Sequence, residues 1–215
     1  MLENNGIVYE IFQEKDLDNT IACIVDFFPT SETLCKALGI TKDEYYPLAE
    51  MICRKAVKDG LSHIAKDSST GEVTGFSISE DFNPESNEET NLIFERVVKF
   101  HPILGLLAQL EHQYMSIQSI EPCPTLHYLM VGVKESYRNQ NIAKNMMLEN
   151  QNLAKTRGFE KVIGEFTGII SQHNAFKLGF KEVIAIYYRD YEYQGSQIFS
   201  HIDSPPKCIL MEKIL

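Results

Sequence analysis

The stretch TLHYLMVGVKESYRNQNIAKNM, residues 125–146, decides the fold. Its first nine residues are a nearly continuous apolar run, the pattern of a central strand covered on both faces. After KESY at 134–137 come four polar residues at the junction, Arg138, Asn139, Gln140 and Asn141, and apolar residues then return at helical spacing. The helix predicted over 142–157 turns Ile142, Ala143, Met146, Met147, Leu153 and Ala154 to one side, with Lys144, Gln151, Asn152 and Lys155 facing solvent. The first amides of such a helix have no intrahelical partner, and its dipole favours negative charge. Strand, turn and helix together therefore make an anion cradle out of backbone. The plainer reading of the same junction is a helix start capped by Asn139 or Asn141.

On the N-terminal side, IVYEIF at 7–12 alternates like a short strand, and DLDNTIACIVDFF has helical spacing behind a cap at Asp16 or Asp18. A helix is predicted at 42–58 with its end at Gly60. LSHIAKDSSTGEVTGFSIS, 61–79, reads as a hairpin turning at Ser69, Thr70 and Gly71. Residues 83–120 form a helical insertion, interrupted near Pro102, before the central strand. Beyond the helix of 142–157 come a strand at 161–167, a short helix near 171–178, a strand at 180–191 and a last strand, CILMEKIL. No repeat or linker divides the chain, so 1–215 is read as one mixed α/β domain.

The chain of 215 residues, 44% hydrophobic and 23% charged, can bury a core without staples. MLENNGIVYE is neither a leader nor an anchor in pattern, and PILGLLA is far too short to cross a bilayer, so a cytoplasmic protein is expected, with no membrane association. Five scattered cysteines without a CxxC pair give neither a disulfide framework nor a zinc site, and no metal is expected. A net charge of −10 argues against nucleic acid as a partner, because such binding needs a basic surface. Residues 134–161 depart from that balance, with six basic and three acidic side chains. That segment can accept an anion.

YRNQNIA resembles the motif of the GNAT N-acetyltransferases: arginine or glutamine, two variable residues, glycine, one variable residue, then glycine or alanine. Arg138 and Ala143 match, and Asn141 stands where the first glycine is usual. Asparagine enters left-handed backbone conformations more readily than most residues with a side chain, so the turn remains feasible. The resemblance implies a single-domain α/β GNAT fold, a mixed central sheet flanked by helices. It implies acetyl-CoA as cosubstrate, with its pantetheine arm paired to Val131, Gly132 and Val133. The pyrophosphate would lie on the amides of Arg138, Asn139, Gln140, Asn141, Ile142 and Ala143.

DFFPTSETLCKALGI at 26–40 is similar to the N-terminal motif of the insect-type arylalkylamine, or dopamine, N-acetyltransferases, and Glu32 stands where that group has its proposed catalytic glutamate. The helical insertion, KLGF at 177–180 and the terminal LMEKIL agree with this group. Acetyl transfer needs a neutral amine, so a base must remove a proton from the ammonium. Glu32, beside Phe27, Phe28 and Leu34, is the first candidate, against the ordinary reading of a solvated surface glutamate. His127 is the rival, against the reading of a satisfied core histidine; the second strand histidine of the vertebrate enzymes is Leu129 here. The tyrosine acid of many GNAT enzymes falls at Ala175. Thr167 and Ser171 correspond to the two hydroxyl residues of the insect-type group, against the readings of a strand end and a helix cap. Phe27, Phe28, Phe100, Leu104 and Leu107 are candidate lining for the amine pocket. The expected activity is acetylation of a small primary amine, an arylalkylamine first. A polyamine or protein amine is the alternative acceptor, and Asn141 and Ala175 also admit a catalytically decayed acyl-CoA-binding module.

Overall fold

A computed structural model describes residues 2–82, 98–118 and 123–215. Eight strands form one sheet: β1 (Leu2–Asn4), β2 (Ile7–Ile11), β3 (His63–Asp67), β4 (Val73–Asp81), β5 (Thr125–Val133), β6 (Lys161–Phe166), β7 (Lys181–Tyr187) and β8 (Lys207–Ile214). Their order is β1-β2-β3-β4-β5-β6-β8-β7, antiparallel throughout except for β5 beside β6. That parallel pair needs a crossover, and the helix predicted after the 138–141 turn supplies it as α5 (Ile142–Thr156). On the opposite face lie α1 (Leu17–Ser31), α2 (Thr33–Ala37), α3 (Lys42–Asp59) and α4 (His101–Ile117), while α6 (Ile169–Lys177) shares the face of α5. The larger core is built where α1, α3 and α4 cover Phe76, Ile78, Ile163 and Leu210. A smaller one sets Met147, Ala154 and Ala175 against Leu126, Tyr128, Val162 and Phe166. No helix among the described residues is long and apolar enough to cross a membrane.

The strands predicted at 7–12, 61–79 and 125–133 form as expected, and α3 ends on Gly60 in the left-handed conformation that a glycine cap permits. Asp67 organises the predicted turn, accepting from the amides of Ser69 and Thr70 at 2.8 and 3.2 Å. Five expectations are corrected. Asp16 precedes α1 but makes no cap bond, because it is buried and takes the Lys66 ammonium at 2.5 Å. Gln151 is buried rather than solvent-facing, donating to Tyr128 Oη at 3.3 Å and accepting from Lys213 at 2.6 Å. Pro102 lies in the first turn of α4, where its missing N–H costs nothing, and so opens the helix instead of interrupting it. β7 ends at Tyr187, where Asp190 N returns to the Tyr187 carbonyl in a turn, four residues short of the predicted end. Finally, β1 was not expected, although Asn5 and Gly6, with φ of 50° and 74°, are the positive-φ pair that closes a two-residue hairpin. The predicted insertion at 83–120 is described only at 98–118; its remainder lies outside the described residues.

Candidate active site

The parallel pairing of β5 with β6 runs from Thr125↔Lys161 to Tyr128↔Gly164 and ends there, while β5 continues to Val133 and β6 to Phe166. On the other side β5 stays bonded to β4 as far as Gly75↔Val133, with a register shift that leaves Leu129 as the extra residue. The β6 side of residues 129–133 thus offers backbone donors and acceptors with no strand to meet them. An extended ligand can pair there, and Val131, Gly132 and Val133, assigned that contact from sequence, lie on that edge.

At the end of that edge the chain turns through a 3-10 segment, Glu135–Tyr137, into α5. Tyr137 Oη donates to Asp67 at 3.1 Å and Lys134 Nζ to Glu72 at 2.7 Å, which ties the turn to the β3–β4 hairpin. Asn139 and Asn141 both adopt left-handed φ, 64° and 61°, so the missing glycine is replaced by a residue that takes the conformation. Asn141 makes no side-chain cap bond, which removes the plainer capping reading at that residue. Arg138, Asn139, Gln140 and Asn141 are all exposed, while Ile142 is buried against β2 and β3. The amides opening α5, at Ile142 and Ala143, therefore point into an open turn at a helix N-terminus. Asn141→Gly should leave the thermal midpoint unchanged or higher and keep or tighten CoA binding in calorimetry. A tenfold loss of affinity would count against the cradle.

Glu32 ends α1 and caps α2 in one extended residue, φ −72° and ψ 136°. Its Oε2 accepts from the Cys35 amide at 2.7 Å, and its Oε1 accepts from Thr167 Oγ1 at 2.6 Å. Two of the residues singled out from sequence, 135 positions apart, are thus bonded to each other. Thr167 directly follows β6, past the point where β5 and β6 part. Phe27 stacks on Phe76 at 5.7 Å, and a methyl group on Gly132 would lie 3.0 Å from Phe27 Cζ and 2.5 Å from Phe76 Cζ. This contact brings the end of α1 against the free edge of β5. Gly132→Ala should cost roughly 1–3 kcal/mol by overpacking, read as a lower denaturation midpoint, and should weaken CoA binding in parallel.

Ser171 does not join the pair. Its hydroxyl donates to the Gly168 carbonyl at 2.8 Å and accepts from the Gly168 amide at 3.2 Å, the local bonding of a helix start. His127 lies in a separate cluster on the same face of the sheet. Its Nε2 meets Glu165 at 2.8 Å, its Nδ1 faces Glu80 at 3.4 Å, and Phe82 packs edge-on at 5.5 Å. Burial alone would disfavour the imidazolium, but Glu165, Glu80 and Glu111 outweigh it and hold the proton well above the usual histidine range. Glu111 is pushed up to about 7, first by burial and then by the Glu165 charge. Glu111, His127 and Glu165 place one ligand atom each within 4.8 Å of one another, close enough for a cation. The imidazolium itself supplies the positive charge there, and His127 has no ring nitrogen left open for use as a base.

Of the predicted pocket residues, Phe100 is buried against Tyr45 at 5.6 Å and belongs to the core; Leu104 and Leu107 are partly buried over the same core. Sequence reasoning missed Glu165, Glu111 and Tyr188. Only Glu165 carried a signal, since strand alternation puts it on the same face as Thr167 two residues on.

No family model matches the chain, and no curated protein matches it in sequence. Solved structures do. Arylalkylamine N-acetyltransferase 2 from Aedes aegypti is 26% identical over 98% of this chain and 99% of its own, with a TM-score of 0.86. Drosophila melanogaster polyamine N-acetyltransferase, described as catalysing the formation of N-acetylagmatine, is 17% identical over 97% and 99%, TM-score 0.70. NAA60 from Arabidopsis thaliana, in complex with acetyl-CoA, is 16% identical over 97% and 99%, TM-score 0.58. The chain has the GNAT fold, and its resemblance to the insect arylalkylamine N-acetyltransferases extends over nearly its whole length.

Proposed function

We propose that the chain is an acetyl-CoA-dependent N-acetyltransferase acting on a small primary amine, an arylalkylamine first. The observation that carries this reading is the Glu32–Thr167 pair, set where β5 and β6 part and next to the strand edge that leads into the 138–143 turn. The pantetheine of acetyl-CoA pairs along Val131, Gly132 and Val133. Its pyrophosphate rests on the amides of Arg138, Asn139, Gln140, Asn141, Ile142 and Ala143. Glu32 takes the proton of the bound ammonium, the freed amine attacks the thioester carbonyl, and the C–S bond breaks as the amide forms. The attacking nitrogen sheds its second proton as the amide forms, the leaving thiolate takes up one, and the proton first held by Glu32 is the one released to solvent; Thr167 is the hydroxyl in contact with that base. Ser171 keeps the start of α6 in place, and the charged imidazolium of His127 organises the carboxylates around it. The chemistry draws on no metal.

A polyamine acceptor is the second reading. Glu80, Glu111 and Glu165 cluster around His127 on the same face of the sheet as the Glu32–Thr167 pair, and carboxylates there favour an acceptor carrying a second cation. Five free cysteines support a reducing, cytoplasmic setting, and the acidic charge of the chain supports a small molecule over nucleic acid as partner. Release of CoA thiol from acetyl-CoA with phenethylamine, tyramine and dopamine, and separately agmatine and spermidine, tests both readings. Turnover with the aromatic amines is expected. Turnover with the polyamines alone replaces the first reading by the second, and tight acetyl-CoA binding without turnover on any amine overturns both.

A further inference from the structure

Thr167 is held from behind as well as by Glu32. It lies between the end of β6 and the start of α6, where neither ladder nor helix bonds fix the backbone. Two buried side chains take over that task. Gln172 Nε2 donates to the Phe166 carbonyl at 2.9 Å and to the Lys207 carbonyl at 2.8 Å. Tyr188, the residue after β7, donates from Oη to the Thr167 carbonyl at 2.7 Å. Because β8 lies between β6 and β7, the phenol must reach past Cys208 to make this bond. Its ring is fully buried, edge-on to Phe199 at 6.2 Å, and burial keeps the phenol protonated far above the usual range, so it remains a donor.

We propose that Tyr188 is a positioning residue for acetyl transfer: through the Thr167 carbonyl it sets the orientation in which the Thr167 hydroxyl meets Glu32. The proposal rests on the reading of Glu32 as the base. Gln172 from α6 and Tyr188 from just past β7 thus hold the successive carbonyls of Phe166 and Thr167. With Phe at 188 the ring still packs on Phe199, but the Thr167 carbonyl loses its bond and residue 167 gains freedom to turn. Small errors in the placement of catalytic groups reduce kcat strongly, without comparable effects on cofactor binding.

The test is a double-mutant cycle of Tyr188→Phe and Thr167→Val, read as kcat, amine KM, acetyl-CoA Kd and thermal midpoint. Tyr188→Phe should lower kcat about 5–30-fold with acetyl-CoA Kd within about twofold. If Tyr188 acts through Thr167, the double variant should be no slower than Thr167→Val alone, since coupled residues do not add. Thr167→Ser, which keeps the hydroxyl, should restore the penalty of Tyr188→Phe. Additive losses in the cycle, an unchanged kcat, or a loss that follows acetyl-CoA affinity and thermal midpoint would each overturn the assignment. An active enzyme in which Glu32→Gln changes nothing would remove the base reading, an outcome separate from failure of the cycle.

Discussion

Glu32→Gln should lower kcat/KM by about 10²–10⁴-fold, the range for loss of a positioned general base, while leaving the protein folded. Glutamine still offers an acceptor to the Cys35 amide, which Glu32 holds at 2.7 Å, so the cap of α2 survives. Thr167, now donating to Glu32 at 2.6 Å, can rotate its hydroxyl to accept from the new amide. Only the capacity to take a proton from the ammonium is removed. Steady-state rates at matched acetyl-CoA saturation, with a thermal melt of the same preparation, separate this loss from misfolding. Rates within threefold of wild type would mean that another group deprotonates the amine.

His127→Ala should show the opposite pattern, a large stability loss with a modest rate effect on the folded protein. The side chains of Glu165 and His127 are 6% and 5% exposed, and one Glu165 oxygen already lacks a partner. Removing the imidazolium leaves Glu165 buried without its counter-charge. Breaking such a pair costs about 3–5 kcal/mol, equivalent to a fall of roughly 6–20 °C in a domain of this size. Linkage sets the pH dependence. A histidine held above its unfolded value of 6.5 contributes fully below that value and loses its contribution as pH rises through the folded one. Glu111, pushed up to about 7, acts in the same direction from about pH 4.5 upward. Wild-type stability should therefore decline from mildly acidic into alkaline solution, and His127→Ala should lose the alkaline part of that decline. A His127→Ala variant as stable as wild type, but inactive, would return His127 to the role of base.

What was legible in the sequence was what is local along it. The strand, turn and helix at 125–156 are contiguous, and their patterning dictates one arrangement whatever surrounds them, down to the left-handed residue at Asn141. Glu32 was legible only through its flanking motif, because nothing in its own surroundings announces Thr167 as its partner. Tyr188 and Glu111 gave no signal, since both acquire their contacts through strand order and helix placement. β8, the last described strand, inserts between β6 and β7, and this makes Tyr188 span from the end of β7 to Thr167. Asp16 and Gln151 were misread for a related reason. Asp16 stands at a helix start, where a carboxylate usually caps, and Gln151 on a helix side where polarity usually means solvent, and each is buried with a lysine, Lys66 or Lys213, brought from elsewhere in the chain.

The most direct measurement is a crystal structure of the chain with CoA and an acceptor amine. The pyrophosphate is predicted on the amides of 138–143, the pantetheine along Val131, Gly132 and Val133, and the amine nitrogen within hydrogen-bond reach of Glu32. A pyrophosphate bound elsewhere, or an amine placed against His127 and out of reach of Glu32, would contradict the account.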